Sequence, residues 1–131
     1  PNGTVLHGAS GDAAGAPRQA SHEIFRPPYL FKGTRPVISS LSSLTVGYGG
    51  QITVNTPHAK QITAVRWIKL GSVTHAFDAG QRANSLTFTR GSGFVRVTVP
   101  SNSRRATPGY YVLFILNRNG VPSVGSVVRV G

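Results

Sequence analysis

The chain has no cysteine. That excludes disulfides, thiolate metal sites, thiol nucleophiles and cysteine-derived crosslinks, and it leaves the redox compartment undecided. Acids are nearly as scarce, with three Asp and Glu against fourteen Lys and Arg. No apolar run approaches the roughly 18 residues that a membrane-crossing helix requires. The opening stretch PNGTVLHGAS has neither a basic lead nor a long apolar segment. It does not read as a signal peptide, so any export signal is expected to lie upstream or to have been removed. Helix signals are almost missing too, because sixteen Gly and nine Pro interrupt the chain every few residues.

The surplus of base is a formal charge of +11, a balance that usually implies acidic partners such as nucleic acid, anionic polysaccharide or a membrane surface. The charges are scattered, and only Arg104-Arg105 form an adjacent pair. No basic run is interleaved with aromatics as in single-strand binders, and no RNA-binding motif is present. A generally basic surface, with nucleic acid disfavoured and an anionic polysaccharide left open, is the reading the pattern supports.

At 131 residues the chain suits one domain with a proper core. Residues 1–34 read as an N-terminal arm. It carries two short strand candidates, 3–7 (GTVLH) and 22–26 (HEIFR), around a small glycine-rich loop, and then a passage rich in Pro and Gly. From 35 to 131 the breaks fall at roughly ten-residue intervals with alternating apolar residues between them, which predicts an all-β, immunoglobulin-like antiparallel sandwich of about seven strands. The strands fall at 37–40, 51–55, 62–70, 85–90, 94–99, 110–117 and 124–130. The expected core is Ile38, Ile52, Val54, Val65, Ile68, Leu86, Phe88, Val95, Val97, Val112, Phe114 and Val128. One strand, Tyr110–Leu116, is apolar on both faces. A sandwich strand normally shows one polar face to water, so this one predicts a central place with something packed on its outer side.

Leu70–Arg82, LGSVTHAFDAGQR, follows the third of these strands. Gly71 lets the backbone turn, and Thr74 and His75 then stand where a sandwich keeps its loop ends. Neutral imidazole is a common ligand for copper and zinc, and a loop after a rigid strand holds it well. His75 is therefore the candidate metal ligand. From spacing alone a hydrogen-bonded loop histidine is the commoner reading, since a metal site needs convergent ligands.

Gly71-Ser72-Val73-Thr74-His75-Ala76-Phe77-Asp78, Gln81-Arg82, Pro108 through Asn117 and Gly120-Val121-Pro122-Ser123 together resemble the C-terminal early-set domain of galactose oxidase and glyoxal oxidase-like proteins. Upstream, Pro1–Leu6 and Glu23–Phe31 are similar to the passage that leaves the propeller in that family. The resemblance implies a copper radical oxidase as the complete protein, oxidising a primary alcohol or an aldehyde while oxygen goes to hydrogen peroxide. In such proteins two tyrosines and two histidines hold a single copper. All but one of these ligands come from the propeller, and the last is a histidine on a loop of the early-set domain, a position matched here by His75. The implied partner is a propeller of the same parent protein, and the implied setting is secreted or extracellular.

The sequence departs from that pattern by having no propeller and no cysteine to crosslink a tyrosine. Tyr29, Tyr48, Tyr110 and Tyr111 lie outside the ligand motifs, and His7, His22 and His58 are expected at the surface or in loops. Copper is thus expected only in the complete parent and not tightly on this chain, which alone is not an oxidase. The alternative is a non-catalytic extracellular module that assembles into fibres or oligomers through residues 1–32. Two short strands cannot bury Val5, Leu6, Ile24 and Phe25 by themselves, so they are expected to join a sheet edge of this sandwich or of a neighbour.

Overall fold

The computed structural model describes residues 2–8, 14–15, 17, 20–75 and 77–131. Alternating β-branched residues between Gly and Pro breaks form strands almost throughout. In order they are β1 (Val5–His7), β2 (Glu23–Phe25), β3 (Ser40–Leu41), β4 (Thr45–Val46), β5 (Gln51–Asn55) and β6 (Ile62–Lys69). They continue with β7 (Val73–Thr74), β8 (Phe77–Asp78), β9 (Ala83–Gly91), β10 (Phe94–Thr98), β11 (Gly109–Asn117) and β12 (Ser126–Val130). Among the described residues helix is confined to two short 3-10 turns at Pro28–Phe31 and Ala59–Gln61. Much of the glycine-rich loop of the arm lies outside the described residues.

Eight strands hydrogen-bond in the order β3-β5-β10-β9-β6-β11-β12-β4, and the layers of the predicted sandwich share β9. The first part of that long strand, Ala83 to Leu86, pairs with β6, and the rest, Thr87 to Gly91, pairs with β10. Both free edges come from one segment: Ser40–Leu41 borders one layer, and Thr45–Val46 borders the other by a parallel pairing with β12. β4, β7 and β8 are strands that the sequence pattern misses, since two residues are too few to show a period.

The core sits between the layers. Ile52, Val54, Val95 and Val97 face Val65, Trp67, Tyr111, Leu113, Ile115 and Val128, all buried. Ile52, Val54, Val65, Leu86, Val95, Val97 and Val128 are where the pattern puts them, and Ile38 and Phe88 pack against the core while partly buried. Three expected core residues are on the other side. Ile68 is 47% exposed, and Val112 and Phe114 pack on the outer face of the sheet. The parity of β11 is inverted from the expectation. Trp67 pairs with Leu113 and Val65 with Ile115, so the odd-numbered residues of β11 turn inward and the even-numbered ones outward. A strand apolar on both faces carries no parity of its own, and a one-residue slip moves its whole inward set to the other side.

β11 is central, as its two apolar faces predict, and its outer face is covered by the chain itself. The β11–β12 connection folds back over it: Val121, Pro122 and Ser123 are buried, and a Cβ on Gly125 would run into Val112 and Phe114. Arg35 pins that connection by donating to the carbonyls of Pro122 (2.9 Å) and Ser123 (2.6 Å). The arm then lies against it, with Gly3 beside Leu30, Arg35 and Pro122, and the Tyr29 hydroxyl donating to the Gly3 carbonyl at 3.1 Å. Between them, Gly3, Tyr29, Arg66, Ile68, Phe114, Leu116, Gly120 and Pro122 enclose a shallow cavity of about 210 Å³.

The arm strands do not join an edge of the sandwich. β1 and β2 pair antiparallel with each other, Val5 opposite Phe25 and Leu6 opposite Ile24. Self-pairing satisfies part of the backbone, so the expected addition to this sandwich is not required. It buries little, because Leu6 stays 68% and Phe25 58% exposed.

Candidate metal-ligand hairpin

β7 and β8 form a hairpin of only two paired rows, Val73 with Asp78 and Thr74 with Phe77, that leaves the sandwich between β6 and β9. His75 is exposed and is the first residue of the turn closing it, with φ 53°. Tight hairpin turns need a positive φ at that place, normally supplied by Gly, Asn or Asp. Among the described residues His75 is the one non-glycine with positive φ. A histidine in this conformation is uncommon and costs on the order of 1 kcal/mol, a strain that concentrates at functional positions.

So short a ribbon is marginal in water and takes its direction from its base. The base is held in several ways. The Lys69 amide donates to the Arg82 carbonyl (2.8 Å) and the Leu70 amide to the Tyr110 carbonyl (2.9 Å). Asp78 Oδ1 accepts the Gly80 amide at 2.9 Å, and its carboxylate lies so close over Gly71 that any Cβ there would collide with it. Gly71 therefore leaves room for the Asp78 carboxylate, beyond the flexible turn that the sequence suggests.

Below the base, the segment 104–107 gathers donors from three strands and two loops. Arg82 Nη1 reaches the carbonyls of Arg104 (2.8 Å) and Arg105 (3.2 Å), and Asn84 Nδ2 also reaches Arg105 (3.0 Å). Lys69 Nζ donates to Thr107 Oγ1 (2.7 Å), Tyr48 to the Ala106 carbonyl (3.0 Å) and Tyr111 to the Thr107 carbonyl (2.7 Å). Trp67 links this network to the core. Its indole donates to Asn84 Oδ1 at 2.9 Å, and its ring lies 4.6 Å from that of Tyr111, tilted by 31°. Among the described residues no buried side-chain nitrogen or oxygen lacks a partner.

The other candidates do not gather at His75. Tyr29, Tyr48 and Tyr111 each spend their hydroxyl on a backbone carbonyl. His58 is half-buried and accepts the Val37 amide at Nδ1 (3.2 Å), which makes it a structural histidine, and His22 is exposed. His7 lies on β1. No three His, Asp or Glu residues come together among the described residues. Several arginines likewise serve as internal donors: Arg35 and Arg82 cap carbonyls as described, Arg90 caps Ile62 O (2.7 Å), and Arg66 bonds Ser85 Oγ (2.8 Å). Asp78 and Arg82 stood in the motif without an assigned role. The available signal was that Asp78 is the sole acid between residues 35 and 131.

A β9-bridged sandwich with a histidine-tipped hairpin at one end defines an immunoglobulin-like early-set domain. Residues 35–130 match the family described as "Galactose oxidase-like, Early set domain", and the chain belongs to that family. It is 38% identical, over 99% of its length, to a galactose oxidase of Gibberella zeae, of which it covers 20%. It is 33% identical over 98% of its length to the aldehyde oxidase GLOX of Vitis pseudoreticulata, of which it covers 28%. Among solved structures, a fungal alcohol oxidase in complex with copper superposes with a TM-score of 0.87 at 30% identity, over 98% of this chain and 29% of that one. The chain therefore spans a fifth to under a third of these three relatives. No helix among the described residues is long and apolar enough to cross a membrane.

Proposed function

We propose that the chain is the C-terminal module of a galactose oxidase- or glyoxal oxidase-like copper radical oxidase, and that it presents His75 as one copper ligand. The observation that carries this reading is an exposed histidine in left-handed conformation at the tip of a braced hairpin. The copper-bound oxidase that superposes on the chain supports it. His75 suits a ligand of a shared site, because one imidazole lacks the several preorganised donors that give affinity. The remaining ligands would come from a propeller of the same secreted parent. Oxidation of an alcohol or aldehyde, with O2 reduced to hydrogen peroxide, is the chemistry that bound copper supplies in such a protein. This chain's contribution is to hold a neutral nitrogen donor at a fixed point ahead of the sandwich. Leu70, Val73 and Phe77, all exposed around the hairpin, give it an apolar collar suited to burial in that partner.

Titrating Cu(II) into the chain and into its His75→Ala variant tests the assignment. Weak binding that the substitution abolishes is expected. Tight stoichiometric binding that survives it would place the ligands elsewhere.

A second reading, a self-assembling extracellular module without catalysis, is favoured by the exposed apolar β1–β2 ribbon. Light scattering before and after deletion of residues 1–32 separates the two. Particles that shrink to monomer on deletion support assembly, and an unchanged monomer rules it out.

A further inference from the structure

We infer that Asp78 is a positioning residue for His75, acting as a latch that closes the neck of the hairpin. The inference rests on His75 being the functional tip, as proposed above. The chain enters and leaves the hairpin through Leu70–Ser72 and Ala79–Gln81, segments with no sheet neighbour of their own in the register. Beyond the Lys69–Arg82 and Leu70–Tyr110 backbone bonds at its base, the ribbon has two paired rows, too little to fix its direction in water. Asp78 supplies the missing constraint. It stands on the outgoing strand opposite Val73, and its carboxylate turns back over Gly71 on the incoming side. The same group accepts the Gly80 amide at 2.9 Å, while the Asp78 carbonyl accepts the Gln81 amide at 3.3 Å. One side chain thus packs on the strand going in and bonds the turn coming out. A Cβ on the residue opposite would push the carboxylate out of this place.

This placement explains why the one acid between residues 35 and 131 is kept on the hairpin in a chain of net charge +11. Asp78 Oδ1 is spent on the Gly80 amide, which fits a role as an acceptor for backbone amides. The latch holds orientation and leaves the sandwich alone, because the core contacts of Trp67, Leu113 and Val65 lie on the far side of the Lys69–Arg82 bond.

The test uses the 131-residue chain without metal, read by NMR. The His75 HN–Hα coupling and Cα shift report its positive φ, and amide exchange at Gly80 reports the latch. Asp78→Ala is expected to average the His75 signals toward random-coil values and to speed Gly80 exchange about tenfold or more, as for loss of a hydrogen bond to a charged acceptor. Asp78→Asn keeps Oδ1 as an acceptor and is expected to restore the parent spectrum. Gly71→Ala is expected to reproduce the Asp78→Ala spectrum, and the double variant to add little to either single one. Unchanged His75 signals in Asp78→Ala, a failure of Asp78→Asn to rescue, or additive effects in the double variant would each overturn the latch. Copper enters none of these readouts, so the latch and the copper assignment stand or fall separately.

Discussion

β11 and the β1–β2 ribbon are built from the same kinds of residue and end in opposite states. Leu113 and Ile115 are fully buried between two layers, whereas Val5, Leu6, Ile24 and Phe25 sit on a two-stranded ribbon and stay more than half exposed. The β7–β8 hairpin resembles the ribbon in size, yet braces at its neck and at the 104–107 segment aim it. Apolar sequence alone therefore does not place a strand. A strand is placed by a neighbouring layer, or by polar latches where no layer exists. The ribbon has neither of these in full, which is why its natural cover is sought outside the chain.

The contrast is broken most forcefully in the core. Leu113→Ala should destabilise the chain by about 2–5 kcal/mol, the usual cost of a fully buried leucine. Urea unfolding followed by Trp67 fluorescence measures it. A loss below about 1 kcal/mol would mean that the inward parity of β11 is misassigned. The two adjacent tyrosines sharpen the same point. Tyr111→Phe removes the bond to the part-buried Thr107 carbonyl and should cost about 0.5–1.5 kcal/mol, while Tyr110→Phe on the exposed side should change stability by under about 0.5 kcal/mol. Comparing the two midpoints in one titration decides this.

At the hairpin the sign reverses. His75→Asn places a residue that tolerates left-handed backbone at φ 53°, and should stabilise the isolated chain by up to about 1 kcal/mol. A fall in melting temperature would show that His75 is kept for folding. The smallest effect belongs to the ribbon. Phe25→Ser should shift the unfolding midpoint by less than about 0.5 kcal/mol equivalent, because the side chain is already in water.

Much of the sandwich is legible in the sequence. Gln51–Asn55 reads as a strand to the residue, and the Gly91-Ser92-Gly93 and Asn119-Gly120 turns fall where Gly and Asn announce them. Ile68 was misplaced against the alternation of β6, where Val65 and Trp67 hold the inward positions, and Val112 and Phe114 because nothing within β11 distinguishes its two faces. The cross-strand pairing to Trp67 and Val65 does so, and it is a long-range fact. The switch of β9 from one layer to the other is invisible for the same reason. The tip residue His75 is legible from its strand and turn, whereas its φ and the Asp78–Gly71 packing are not. Spacing shows that those residues are close in sequence, and only the fold shows which atoms meet.

Metal analysis of the complete source protein addresses the role of His75 most directly. Copper per polypeptide is measured in the parent and in its His75→Ala variant after equal dialysis, with far-UV circular dichroism confirming that both are folded. About one copper per parent polypeptide is expected, with affinity reduced by at least about tenfold in the variant, since losing a direct ligand should cost more than the roughly 10–100-fold typical of residues that only orient a ligand. A folded variant that keeps the parent's full copper content would contradict it.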